Sequence, residues 1–135
     1  MGVIIDSSVF IEVERREQPL DALIATLSND DPGIAAITAS ELLAGVYRAD
    51  SVERRSRRET FVESVFRSIP VFAFDLQVAR THAEILAQMT SAGQVIGNFD
   101  MMIAATALTH EYELLTENVR EFNRVPGLDV HQPDW

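Results

Sequence analysis

Short apolar segments alternate with amphipathic ones along this chain, and that alternation limits the fold more than any other feature. The run Val3-Ile4-Ile5 is β-branched and typical of a strand buried on both faces. Strands joined by helices form a parallel sheet through right-handed crossovers, which place helices on both faces. We therefore predict an α/β fold, a three-layer α/β/α sandwich with a central, mostly parallel sheet. The predicted strands are residues 3–5, 34–37, 71–74 and 113–116, with a short edge strand at 128–130.

Helix signals lie between these strands. The segment 38–41 has capping-box spacing, with a hydroxyl at Thr38 and a carboxylate at Glu41, and predicts a helix start. Asp75 is expected to cap a long helix that Gly93 closes, and Asn98 to cap a deeply buried one. The remaining predictions are helices at 7–16, 20–27, 52–68 and 99–108, a turn at 28–33, and a turn or short helix at 118–122.

Composition excludes several kinds of chemistry. With 135 residues, 47% of them hydrophobic, the chain suits one domain over residues 1–135. There is no cysteine, which excludes a catalytic or metal-binding thiolate, and no lysine, which excludes a catalytic amine. The formal charge of -10 argues against coating nucleic acid by charge alone and favours a cationic partner. No apolar run approaches a membrane span, so we expect a cytoplasmic protein.

Acidic residues follow the predicted strands. Asp6 comes directly after the first strand, Glu41 one turn into the helix after the second, Asp100 in the first turn of the buried helix, and Glu117 after the fourth strand. Ligands of parallel α/β sheets bind beyond the carboxyl ends of the strands, so these four side chains are expected to converge. Oxygen ligands suit Mg²⁺ or Mn²⁺, which can assist hydrolysis of a phosphodiester by activating water.

Each acid also has a purely structural explanation. Asp6 could cap a helix, Glu41 could complete a capping box, and Asp100 could complement a helix dipole. Crowded carboxylates nevertheless repel one another unless a cation is present, which favours a metal site over three unrelated coincidences.

Four segments together resemble the PIN-domain nucleases, and among them the VapC-type toxins of bacterial toxin-antitoxin pairs. The matching segments are residues 4–9, 36–42, 99–105 and 115–122. The resemblance covers nearly the whole chain and implies a metal-dependent endoribonuclease with a single PIN-like nuclease domain. It places Asp6, Glu41 and Asp100 in the metal-binding acidic positions, and it implies a cognate antitoxin as well as dimers.

The fourth acidic position departs from the resemblance. Many relatives have aspartate where this chain has Asn118, so weaker binding of a second ion is expected. Glu117 or Glu121 could substitute, although Asn118 and Glu121 also have capping-box spacing. Ser7 and Thr116 could orient a water or a phosphate oxygen, or could simply cap turns.

A dense basic stretch offers a way to hold RNA. It consists of Arg48, Arg54, Arg55, Arg57 and Arg58, whose guanidinium groups suit phosphate. The alternative is a solvated helix with intrahelical ion pairs, Arg55 with Glu59 and Glu63 with Arg67. The histidines 82, 110 and 131 have no ligand spacing and are expected to be structural.

Three other functions compete with a nuclease. A phosphoryl-accepting receiver domain would need a lysine, which is absent. A phosphatase of the haloacid-dehalogenase type would need a second aspartate two residues after Asp6, where Ser8 stands. A non-catalytic module that uses the crevice to engage RNA or a protein remains the alternative, and Asn118 keeps it open.

Overall fold

A computed structural model describes residues 1–27 and 30–135. Five strands form one parallel sheet in the order β3-β2-β1-β4-β5. The strands are β1 Gly2–Ile5, β2 Asp31–Ala35, β3 Val71–Phe72, β4 Glu113–Leu115 and β5 Val130–His131. The helices are α1 Ser7–Arg15, α2 Leu20–Thr26, α3 Ala36–Tyr47, α4 Val52–Ser68, α5 Leu76–Ala92, α6 Asn98–Thr109 and α7 Val119–Phe122.

Helices cover both faces of the sheet, which confirms the predicted sandwich. Alternate residues of β1 divide between two cores: Val3 and Ile5 pack in the core formed with α1 to α4, and Ile4 packs in the core formed with α5 to α7. All three side chains are almost fully buried. This two-sided burial explains why the run Val3-Ile4-Ile5 is apolar without alternation.

The central strand β1 is where the strand order reverses. From β1 the chain adds β2 and β3 on one side, and β4 and β5 on the other. Such a switch point opens a crevice beyond the carboxyl end of the strand. The residue that follows β1 at that crevice is Asp6.

The second strand begins earlier than predicted. Asp31, Pro32 and Gly33 belong to β2 rather than to a turn, and residues 28–29 of the predicted turn lie outside the described residues. The Asp31 amide donates to the Met1 carbonyl on the β1 side, and the Ile34 amide donates to the Pro70 carbonyl on the β3 side. Because backbone amides alternate between the two sides of a strand, the Pro32 nitrogen faces the β3 side, at a position before the pairing with β3 begins. A proline there removes no sheet hydrogen bond.

The helix after β2 corrects two predictions. It begins at Ala36, so Ile37 is helical, and Ala35 is its N-cap without a side-chain cap bond. Thr38 therefore lies inside the first turn, buried, and its hydroxyl has no hydrogen-bond partner among the described residues. The capping box predicted at Thr38 and Glu41 is wrong because the N-cap is Ala35, three residues before Thr38.

Other boundaries are closer to expectation. The helix predicted at 52–68 is observed as α4 with the same bounds. Asp75 caps α5, because its carboxylate accepts a hydrogen bond from the Val78 backbone amide. Gly93 closes α5 with φ of 68°, a left-handed conformation that suits glycine. The predicted cap at Asn98 is wrong, since Gly97 is the N-cap of α6. The third strand, Val71–Phe72, is shorter than the predicted 71–74. The fifth strand, Val130–His131, begins two residues later than the predicted 128–130.

Within the described parts of the chain, no helix is both long enough and apolar enough to cross a bilayer.

Candidate active site

Asp6 directly follows β1 at the switch point of the sheet and is only 2% exposed. It is the N-cap residue of α1, but its carboxylate makes no cap hydrogen bond. Instead its Oδ2 accepts from the hydroxyls of Ser8, at 2.7 Å, and Thr116, at 2.8 Å. Because both hydroxyls bind Oδ2, Oδ1 remains available to a ligand in the crevice.

Ser8 is the residue that sequence reasoning missed. Besides donating to Asp6, its hydroxyl accepts from the Glu117 amide at 3.1 Å and lies 3.3 Å from the Thr116 hydroxyl. Thr116 in turn accepts from the Asn118 amide at 2.9 Å. The two hydroxyls thus tie the loop after β4 to the carboxylate after β1. The sequence signal for this role is a serine two residues after Asp6, close enough for its hydroxyl to reach the carboxylate.

Glu41 approaches the same crevice from α3. The Ser7 hydroxyl donates to its Oε1 at 3.4 Å, so Ser7 contacts Glu41 rather than Asp6. Burial raises the pKa of Glu41, and the negative charge of Asp6 raises it further. The Ser7 hydrogen bond and the charge of Arg48 act in the opposite direction. Burial and the nearby negative charge therefore disfavour the ionised form of the Glu41 carboxyl group.

Asp100 lies in the first turn of α6 and is partly buried. Its pKa is raised to about 7, first by burial and then by the charge of Asp6, by a hydrogen bond and charge from Glu121, and by the charge of Glu41. Asp100 therefore lies within hydrogen-bonding reach of Glu121. We call Asp6, Glu41, Asp100 and Glu121 the acidic cluster.

The three candidates for the fourth acidic position differ in what their side chains contact. The Glu117 carboxylate faces residues 132–135. It accepts hydrogen bonds from the Trp135 indole N–H at 3.1 Å and from the Gln132 side-chain amide at 3.4 Å. Asn118 is exposed and is the N-cap residue of α7, yet its side chain makes no cap bond. Of the three candidates, Glu121 is the one that perturbs Asp100.

The acidic cluster is more widely spaced than one coordination sphere. Among residues 1–27 and 30–135, the one group of three ligand side chains whose atoms all lie within 4.8 Å of one another is Glu113, Asp129 and His131. In that group His131 lies 3.1 Å from Asp129 and 3.7 Å from Glu113, as expected of an exposed ion-pair arrangement. Repulsion between uncompensated carboxylates accounts for the wider spacing in the crevice.

Two of the three structural explanations for the acids fail. Asp6 makes no cap bond, and the capping box of Glu41 does not form. Asp100 does lie where a carboxylate complements the dipole of α6, but its pKa is raised rather than lowered. The charges in the crevice therefore destabilise one another, and a cation would relieve that repulsion.

A parallel sheet with four carboxylates at its switch point defines a class of α/β proteins with an acidic binding crevice. The PIN domain family matches residues 3–128. The chain belongs to the PIN-domain family.

Relatives support the same assignment over nearly the whole length. The chain is 37% identical over 133 residues to Ribonuclease VapC1 of Rickettsia felis, covering 96% of this chain and 95% of that protein. VapBC-1 from nontypeable Haemophilus influenzae has the same fold, with a TM-score of 0.82, 25% identity and 98% of each chain covered. VapBC2 from Rickettsia felis, bound to a promoter DNA fragment, gives a TM-score of 0.88 at 20% identity over 99% of this chain and all of that one.

Proposed function

We propose that this chain is a divalent-metal-dependent endoribonuclease, the toxin of a toxin-antitoxin pair, with residues 1–135 acting as one nuclease domain. The observation that carries the proposal is the acidic cluster itself: four carboxylates from four separate parts of the chain gather at the switch point of the sheet, and their proximity helps to raise the pKa of Glu41 and of Asp100. The family match and the similarity to Ribonuclease VapC1 support ribonuclease chemistry.

The donor set fits a hard cation. Asp6, Glu41, Asp100 and Glu121 offer only carboxylate oxygens, which are the ligands that Mg²⁺ and Mn²⁺ take in proteins. The part of the chain described here places no arginine or histidine in an ion pair with any of the four. A cation is therefore the missing counter-charge, and we propose Mg²⁺ or Mn²⁺. When bound, it would supply a positive charge that acidifies water and stabilises negative charge on a phosphodiester.

The protein's own contribution is orientation. Ser8 and Thr116 fix the Asp6 carboxylate through Oδ2, which directs Oδ1 to the crevice. Ser7 restrains Glu41. Ser7 and Thr116, considered above as groups that orient water, therefore act through carboxylates. Asp100 and Glu121 would hold the same cation, whose charge would favour the ionised form of Asp100.

Cleavage of a total cellular RNA sample tests the proposal. The purified protein, free of any antitoxin, should produce discrete fragments with Mg²⁺ or Mn²⁺ and none with a chelator. Asp6→Asn should abolish the fragments while leaving the fold intact by circular dichroism. Asp129→Asn, the same substitution outside the crevice, should cleave like the wild type. Metal binding without any cleavage by the folded wild-type protein would favour the non-catalytic module instead.

Its partners follow from the same proposal. The solved VapBC structures motivate a cognate antitoxin. A basic antitoxin segment that inserts an arginine at the acidic cluster would satisfy the same carboxylates as a cation. We further propose that the protein forms homodimers, that it binds the antitoxin as a heteromeric complex, and that it acts in the cytoplasm.

A further inference from the structure

A groove between α1, α3 and α4 adjoins the acidic cluster. Its volume is about 270 Å³, and Glu41 is one of the residues that line it, so the groove and the cluster share a side chain. Two arginines, Arg48 and Arg58, line the same groove. Its apolar walls are Phe10, Leu42, Phe61 and Val62.

The groove continues into a second hollow. Ile11, Glu14 and Arg58 line both, so the two form one path along the surface. The second hollow has a volume of about 490 Å³, and Glu17 is a further acid at its edge. Three more arginines line it: Arg15, Arg54 and Arg57. Five of the chain's eleven basic residues therefore lie along this path, in a protein of formal charge -10.

Intramolecular contacts engage three of the five arginines. Arg15 pairs with Glu12, Arg54 lies 2.9 Å from Asp50, and Arg58 lies 3.7 Å from Glu14 while donating to the Gly45 carbonyl at 3.0 Å. The pairing of Arg58 neutralises Glu14 within the groove. Arg58 still has unused N–H donors in a fixed orientation, because guanidinium carries five.

The other two, Arg48 and Arg57, are exposed, and their guanidinium groups have no hydrogen-bond or ion-pair partner in the described parts of the chain. The pairs Arg55–Glu59 and Glu63–Arg67, which the solvated-helix alternative requires, are also absent there; Arg55 instead donates to the Tyr47 carbonyl at 3.4 Å. The basic stretch is thus not neutralised along its own helix.

We propose that this path binds a single RNA strand and leads it to the acidic cluster, with Arg48 and Arg57 binding backbone phosphates and Arg58 a third between them. The inference rests on the proposed nuclease function and adds the route of its substrate. Guanidinium groups bind phosphate through paired hydrogen bonds. Phe61, the partly exposed aromatic side chain in the groove, offers a ring on which an unpaired base can stack, and this combination is typical of single-strand binding. An overall acidic protein would repel RNA elsewhere, which confines binding to the path.

Fluorescence anisotropy with a labelled single-stranded 12-nucleotide RNA tests the route. The full-length wild-type protein is titrated in chelator, so that binding is measured without cleavage, over a range of salt concentrations. The variant R48Q/R57Q is compared with R67Q/R80Q, which changes the net charge equally but removes no residue that lines the groove.

We expect R48Q/R57Q to bind at least tenfold more weakly. The slope of log binding constant against log salt concentration should be shallower for this variant by roughly 1.4, because each lost single-strand phosphate contact reduces the slope by about 0.7. R67Q/R80Q should keep the wild-type slope. In metal-containing cleavage assays, R48Q/R57Q should raise KM with little change in kcat, because the arginines bind substrate and transition state alike.

Equal RNA binding by the two double variants would overturn the route and leave the groove to a protein partner. If Asp6→Asn abolished cleavage while R48Q/R57Q bound RNA normally, the route would fail and the nuclease proposal would stand. If the wild type bound RNA in the predicted salt-dependent way yet cleaved none with metal, the route would stand and the nuclease proposal would fail.

Discussion

Thr116 and Asp6 are 110 residues apart in the chain, yet the Thr116 hydroxyl donates to Asp6 Oδ2 at 2.8 Å. This contact joins the carboxyl ends of two neighbouring strands, β1 and β4. It also restricts which oxygen of Asp6 faces the crevice, since Ser8 binds the same Oδ2.

Thr116→Val should therefore reduce cleavage without unfolding the protein. A hydrogen bond to a charged group contributes about 1.5–3 kcal/mol, so we expect kcat to fall by roughly tenfold to a hundredfold. Single-turnover cleavage with Mn²⁺ measures the effect. Thr116→Ser keeps the hydroxyl and should recover most of the activity. If Thr116→Val cleaved RNA as fast as Thr116→Ser, the hydroxyl would have no positioning role.

Asp100 makes the stability of the metal-free protein depend on pH. Burial and the neighbouring carboxylates raise its folded-state pKa to about 7, from an ordinary 3.8. The folded state then holds a proton that the unfolded chain has lost, so the free energy of unfolding falls as pH rises between these values. We expect Tm in chelator to be several degrees lower at about pH 8 than at about pH 5.5.

Asp100→Asn should abolish most of that pH dependence, because the amide carries no charge at either pH. Adding Mg²⁺ to the wild type at about pH 8 should raise Tm toward its acidic value. Asp21→Asn, the same change at an exposed residue of α2, serves as the matched control and should keep the wild-type profile. An Asp100→Asn profile as steep as that of the wild type would place the titrating group elsewhere.

Glu121, rather than Glu117, is predicted to support metal binding. Glu121 contacts Asp100, whereas Glu117 accepts hydrogen bonds from Trp135 and Gln132. Glu121→Gln should weaken Mn²⁺ affinity by roughly tenfold, because one anionic oxygen ligand is lost. Glu117→Gln, the same change four residues earlier, should leave the affinity within about twofold. Isothermal titration calorimetry distinguishes them, and the reverse order would assign the fourth position to Glu117.

Two glycines make a matched pair for stability. A Cβ at Gly33 in β2 would lie 2.6 Å from the Phe72 ring, whereas a Cβ at Gly45 in α3 would meet nothing within 4 Å. Gly33→Ala should therefore destabilise the protein by about 1–3 kcal/mol. Gly45→Ala should stabilise it by about 0.5–1 kcal/mol, because alanine loses less backbone entropy in a helix interior. Urea unfolding measures both, and stabilisation by Gly33→Ala would contradict the close packing of Phe72.

The fold could be predicted from sequence because its signals are local. Val3-Ile4-Ile5 predicts a strand buried on both faces, and Asp75 and Gly93 mark the two ends of α5. The start of α3 could not be found in this way. Thr38 and Glu41 have the spacing of a capping box, but the chain turns helical directly after β2, and that turn depends on the sheet rather than on the local residues.

For the site, sequence indicated the carboxylates but not their partners. Asp6, Glu41 and Asp100 were identified by their positions after predicted strands and by the resemblance, and their roles as metal ligands remain predictions. The contacts of Ser8 with Asp6, and of Glu117 with Trp135, depend on how distant segments pack. No local pattern encodes such contacts, and this is why Glu117 and Glu121 could not be distinguished from sequence.

The strand order also bears on when activity can arise during synthesis. β1 is made first, but its neighbour β4 and the residues Thr116 and Glu121 are made more than 100 residues later. A nascent chain that has not reached Glu121 has Asp6 without the Thr116 hydroxyl and without the Asp100–Glu121 pair. Contacts so distant in sequence form late in folding. Translation products that end before Glu121 therefore lack the assembled acidic cluster, so we expect any activity that depends on this cluster to arise only after Glu121 has been made.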